Sequence, residues 1–362
     1  MPRIISLLPG ATEIICALGG AESLVGISHE CDFPPQITHL PRVSASAVDS
    51  RLTSREIDAS VRRVSESGLP MFVLDAEDIV RLAPTLIITQ SLCEVCAVSD
   101  GDVRDIAHLV TPSPTILPMT GTTLDGVWAD TTAIGASLGR ATEAADLLAS
   151  QAERMRVVHE TLKAARAPRP RVAVIEWLDP LFIAGHWTPE LVRRGGGVDV
   201  STDESLFGRS NRDDSWRKDR TIRTSDSEQP HAKLASPSPS PTSDLCGRSE
   251  QLTSPLLLPT RIEQGSHSVQ VTMEQVRAAD PDILIFAPCG FDVERAERET
   301  RELLASEAWA WSRDREIWAI DGNALTSRPG PRLVDAIEVM AATFAPTLFR
   351  ASSARYARRL AE

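Results

Sequence analysis

His29, Cys31, Cys93, Cys96 and Cys289 are the side chains in this chain best suited to soft-metal chemistry. Thiolate and imidazole donors suit zinc, copper(I) or iron-sulfur centres, so a bound zinc or iron is one expectation. The lone Cys93-Glu-Val-Cys96 has no second CxxC or HxxxH at finger-like distance. Small polar residues lining a cleft, or a buried free thiol, are therefore the readings set against it. Cys16 falls inside an amphipathic helical pattern and reads as core, and Cys246 lies in a low-complexity stretch. A second group is aromatic: Trp177, Trp187, Phe33 and Phe291 would serve as stacking walls for a flat aromatic or macrocyclic ligand. Taken singly, each tryptophan fits core packing as well, and Trp309, Trp311 and Trp318 read as packing. Enzyme signatures are thin. GxGxxG after a strand, GxxxxGK[ST] and HExxH are all missing. His186 beside Glu190 has acid/base chemistry but reads better as a ligand contact, and Gly195-Gly-Gly197 reads as a helix stop.

These residues need elements to bring them together, and an internal repeat supplies them. Arg3 to Pro9, followed by Glu13 to Gly20, predicts a buried strand, a turn and a short helix stopped by glycine. The same order returns at Arg171 to Trp177, then Pro189 to Gly197. A tighter pair is Glu77 to Ile88 and Glu274 to Ile285: each is a short helix, a stop marked by Pro84 or Pro281, and a fully buried strand. Each then enters a cysteine-bearing loop. Between the halves, Leu124 to Ala164 has no proline and carries apolar residues at helical spacing, predicting one long helix or two broken near Gly139. The fold class is α/β: two parallel-sheet lobes joined by a long connecting helix, with a ligand cleft between them at the carboxyl ends of the strands. The expected division is an N-terminal lobe over 1–120, a linking helix over 121–167 and a C-terminal lobe over 168–352. A segment over 203–268, dominated by Ser, Pro, Arg and Asp, interrupts that last lobe and is expected to be a disordered insertion.

The composition narrows the function classes. Lys and Arg number 38 against 50 Asp and Glu, a formal charge of −12. No basic stripe is present for phosphate neutralisation, so the composition argues against a nucleic-acid partner. No apolar run approaches the roughly 20 residues of a membrane span, which argues against membrane insertion. Pro9, Gly10 and Glu13 interrupt the apolar start, so it reads as a strand and not as a signal sequence. The expected location is cytoplasmic, and periplasmic only if the true start lies upstream.

Leu8-Pro-Gly-Ala-Thr-Glu13, Gly26 to Pro35, the Pro84 and Pro281 segments and Ser327-Arg-Pro-Gly-Pro-Arg332 together resemble the helical-backbone metal-receptor class of substrate-binding proteins, within it the cobalamin-binding branch. The resemblance spans both lobes and omits the insertion. It implies a corrinoid held between the lobes without catalysis, with contacts from Pro9, the His29 to Phe33 loop, Trp177 and the Arg328 loop. On that reading Trp177, Trp187, Phe33 and Phe291 wall the ligand, while Glu30, His186 and Arg328 orient it. The resemblance further implies docking to an ABC-type transporter through Glu77 and Glu274, although a first-turn Glu is also stabilised by the helix dipole alone. His29-Glu-Cys31 and the CxxC depart from the family's best-known loops. The alternatives are a ferric-siderophore or haem binding protein, or a thiol-dependent metalloenzyme or metallochaperone. Tyr356 is the sole tyrosine, which disfavours tyrosinate ligation of iron.

Overall fold

The computed structural model describes residues 2–90, 100–202, 264–349 and 355–360. The first half runs β1 (Ile4–Ser6), α1 (Pro9–Ala17), β2 (Leu24–Ile27), β3 (Ser44–Ser46), α2 (Ser54–Ser67), β4 (Phe72–Leu74), α3 (Ala76–Leu82), β5 (Leu86–Gln90), α4 (Asp100–Ala107) and β6 (Thr115–Met119). Strands β2-β1-β5-β6 form one parallel sheet. Ile4, Ile5, Ile87 and Ile88 are buried on both faces, as continuous apolar runs in a covered parallel sheet require. β3 and β4 form a separate antiparallel pair.

Two helices follow, α5 (Leu124–Ser137) and α6 (Ala141–Ala165). The break falls at Gly139, whose φ of 68° is the left-handed conformation that glycine takes without steric cost. α6 lies along the second half: Arg154 pairs with Asp335 at 2.5 Å and Glu338 at 2.6 Å, and Gln151 donates to the Pro331 carbonyl at 3.1 Å.

The second half comprises β7 (Arg171–Leu178), β8 (Leu181–Ile183), α7 (Thr188–Arg194), β9 (Val198–Asp199), β10 (Val269–Gln270), α8 (Met273–Ala278), β11 (Ile283–Phe286), α9 (Val293–Leu304), β12 (Glu316–Ile320), α10 (Gly322–Leu325), α11 (Leu333–Phe344) and β13 (Ala357–Arg359). The repeat read from the sequence is present in the pairing, for β1 lies parallel beside β5 as β7 does beside β11. The second sheet is not wholly parallel, however. β7, β9, β11 and β12 form its parallel centre, while β8, β10 and β13 pair antiparallel at its edges. The tight β7–β8 hairpin, turned at Asp179-Pro180, accounts for part of this: a two-residue connection can join only antiparallel strands.

The expected insertion needs trimming at its C-terminal end. Residues 203–263 lie outside the described residues, but 264–268 are folded onto the Gly185 loop. His186 N–H donates to the Ser266 carbonyl at 2.6 Å, and Gln264 Nε2 donates to Glu190 at 3.1 Å. Such a polar segment shows no apolar period because hydrogen bonds, not apolar burial, hold it.

Candidate ligand cleft

The β2 exit loop is organised from behind by Arg42. Its Nη1 donates to the carbonyls of Ser28, His29 and Cys31 at 3.2, 2.7 and 3.3 Å. That scaffold turns His29 backward. His29 Nδ1 bonds Ser44 Oγ at 2.8 Å, and its ring lies 5.6 Å from Phe72 on the β3–β4 pair. Burial and the Arg42 charge lower its pKa, favouring neutral imidazole. Cys31 points inward, fully buried 3.1 Å from Thr12 Oγ1, with burial pushing its thiol up to about 11. The proposed soft-metal set is therefore not assembled among the described residues: no three His, Cys, Asp or Glu side chains there are grouped to hold a metal ion. Cys93 and Cys96 lie outside the described residues.

Glu30, by contrast, is solvent-exposed and faces the other lobe. Across from it, a register shift between Ile175 and Trp177 bulges β7. Such bulges re-aim side chains. Glu176 here accepts bonds from Ser268 Oγ and the Gly185 N–H. Cys289, in the loop after β11, is exposed yet surrounded closely enough that burial, with the nearby Glu176 and Glu30 charges, pushes its thiol up to about 12. Burial likewise raises the carboxyls of Glu30 and Glu176. Solvent-reachable groups that nonetheless feel dense protein mark the walls of a cleft. This one carries carboxylates from both lobes around a thiol.

At the base of the cleft the lobes touch. Arg328, only 5% exposed, donates to Asp32 at 2.5 and 3.0 Å, to Glu13 at 3.2 Å and to Asn323 at 2.7 Å. Arg332 forks onto Glu13 at 2.5 and 2.8 Å and covers the Phe33 ring at 4.4 Å. Burial alone would raise Asp32, but the Arg328 bonds outweigh it and hold that carboxyl low. Arg328 is thus an inter-lobe tie, not the ligand-orienting group expected, because its donors are engaged within the protein. Pro9 opens α1 at N1, and a Cβ on neighbouring Gly10 would stand 2.4 Å from the Pro329 carbonyl oxygen. Phe33 lines a small cavity of about 240 Å³ with Glu13, Cys16 and Pro331, smaller than macrocycle-binding pockets.

Three other expected wall residues need correction or qualification. Trp187 is buried in the second lobe's core, its indole N–H bonded to the Thr326 carbonyl at 2.8 Å. Phe291 is 2% exposed and packed in the core beneath Arg295 at 3.5 Å. Both follow strand ends in sequence, but burial of a loop aromatic is decided by what packs over it. His186 is half-buried under the 264–268 segment at φ 51°, its ring 4.9 Å from His267, and its Nε2 has no hydrogen-bond partner. Burial and His267 lower its pKa. Its expected acid/base partner Glu190 instead pairs with Arg194 at 2.8 Å. Trp177 remains half-buried against Phe291 at 5.7 Å. Glu77 and Glu274 are exposed in the first turns of α3 and α8. Sequence reasoning passed over Glu176, although its place beside Trp177 at a strand end was a usable signal.

Two α/β lobes with parallel-sheet centres, bridged by helices and opposed through their strand ends, define the fold of the two-lobe periplasmic substrate-binding proteins. A periplasmic heme binding protein from Pseudomonas aeruginosa matches with a TM-score of 0.61 at 16% identity, over 98% of this chain and 97% of that one. The periplasmic vitamin B12 binding protein of Vibrio cholerae matches at 0.53 and 21%, over 95% and 97%. An ABC-type Fe3+-hydroxamate transport protein from Saccharomonospora viridis matches at 0.53 and 16%, over 95% and 93%. No family model and no curated protein sequence matches the chain. Among the described residues no helix is long and apolar enough to cross a membrane.

Proposed function

We propose that this chain is a non-enzymatic receptor that holds a corrinoid between its lobes, with Glu30, Glu176 and Trp177 against the ligand and Pro9 at the edge of the site. The observation that carries this reading is the acidic lining of the cleft. Glu30 and Glu176 approach Cys289 from opposite lobes, while Arg328 and Arg332 are bound to Glu13 and Asp32. Haem brings two propionates, and ferric catecholate siderophores are anionic; both would meet carboxylates there. A corrinoid with amide side chains is neutral or cationic and suits such walls, since like charges opposed in a cleft are penalised. Tyr356, the sole tyrosine, lies beside Arg355 and is close enough to Arg332 to influence it, on the base side of the cleft. The periplasmic setting of the fold neighbours weighs against the cytoplasmic location read from the sequence. Glu77 and Glu274, exposed at equivalent places in the repeat, suit docking to an ABC-type transporter.

The test is a spectral titration of the full chain with cyanocobalamin, diaquacobinamide and hemin. Stoichiometric binding of a corrinoid at least tenfold tighter than hemin is the expected result. Tighter hemin binding would replace this reading with the haem alternative.

A further inference from the structure

The lobes meet a second time, at the edge of the cleft away from the Glu13 tie. The segment leading into α2 belongs to the first lobe but docks on the second. Arg295 of α9 donates to the carbonyls of Ser50 at 2.5 Å and Leu52 at 2.6 Å. Its position is fixed from its own lobe by Glu299 at 2.8 Å and by the Phe291 ring at 3.5 Å. One turn further, Ser54 Oγ donates to Glu299 at 3.0 Å, Arg55 pairs with Asp179 at 2.6 Å, and Ile57 packs on the second lobe's core.

We propose that Arg295 is a latch which holds the cleft closed by pinning the 50–57 segment across its edge, and that entry to the cleft requires the latch to release. Two features distinguish latch from pivot. At the base, Arg328 and Glu13 are 5% and 2% exposed, and backbone meets backbone at Gly10 and Pro329. At the edge every polar tie is more open to water: Arg295 and Glu299 are 17% and 13% exposed, and Arg55 and Asp179 80% and 43%. The less buried set opens first, because local opening follows the contacts of lowest stability. Phe291, on which Arg295 stacks, sits in the same loop as Cys289. A molecule pressing on that loop therefore presses on the latch. The inference does not depend on which ligand the cleft takes.

Cys289 gives a ligand-free readout, because it is exposed in the cleft while Cys31 is buried. The experiment compares the rates at which N-ethylmaleimide and the bulkier fluorescein-maleimide modify Cys289 in the full chain, scored by peptide mass spectrometry. Arg295→Ala and Arg295→Lys should each raise the bulky-to-small rate ratio about tenfold with Cys31 still protected. Arg55→Ala, at the exposed rim, should change it less than twofold. A ratio within threefold of wild type in both Arg295 variants overturns the latch. If Arg295→Ala exposes Cys31, showing loss of the fold, Arg295→Lys alone decides by the same threshold.

Discussion

At the scale of single residues, the base of the cleft concentrates the most charge in the least solvent. Glu13 accepts from Arg328 and Arg332 together, and all three side chains are nearly sealed from water. Removing Glu13 leaves Arg332 buried without its carboxylate and Arg328 with the half-exposed Asp32 alone, which costs more than the pair contributes when intact. Glu13→Ala is expected to lower unfolding free energy by about 3–5 kcal/mol, read by urea denaturation. Asp199 makes a different prediction. It accepts from Ser201 N–H at 2.7 Å and also from the Ser201 hydroxyl, yet burial dominates and pushes its carboxyl up to about 6. A carboxyl with a raised folded value binds its proton more tightly when folded. Its contribution to stability is fully present below the ordinary value of 3.8 and is lost as pH rises through 6. Thermal melts from pH 4 to 7 should therefore slope downward more steeply for wild type than for Asp199→Asn.

At the scale of elements, the bulge in β7 and the 264–268 segment act together. Gly185 permits this: a Cβ there would come within 2.4 Å of the Ser268 nitrogen and 2.5 Å of the Ser266 oxygen. Gly185→Ala should lift the segment and remove the Ser268 bond from Glu176. Faster amide exchange over residues 264–271, with the β11 amides unchanged, is the expected result. The buried strands were legible in the sequence because parallel strands covered on both faces read as unbroken apolar runs, as in Leu86 to Ile88 and Ile283 to Phe286. The break at Gly139 was legible from glycine itself. Trp187 and Phe291 were not, because chain position cannot show that Thr326 and Arg295 close over them. His29 misled for the same reason: Ser44, fifteen residues on, decides where its ring turns.

At the scale of the whole molecule, two lobes are tied at the base by buried ion pairs and across one edge by Arg295, and the carboxylates of Glu30 and Glu176 lie between. Of the carboxylates behind the formal charge of −12, Glu30 and Glu176 stand close enough to Cys289 to raise its thiol. On the proposed reading, this acidic lining selects a cationic or neutral corrinoid over an anionic tetrapyrrole. The most direct measurement of that selection is the ratio of diaquacobinamide to hemin affinity at pH 7 for wild type and Glu176→Gln. Wild type is expected to prefer the corrinoid at least tenfold, and the substitution to narrow the preference by weakening cobinamide and strengthening hemin. A wild-type preference for hemin, or a ratio unmoved by Glu176→Gln, would contradict it.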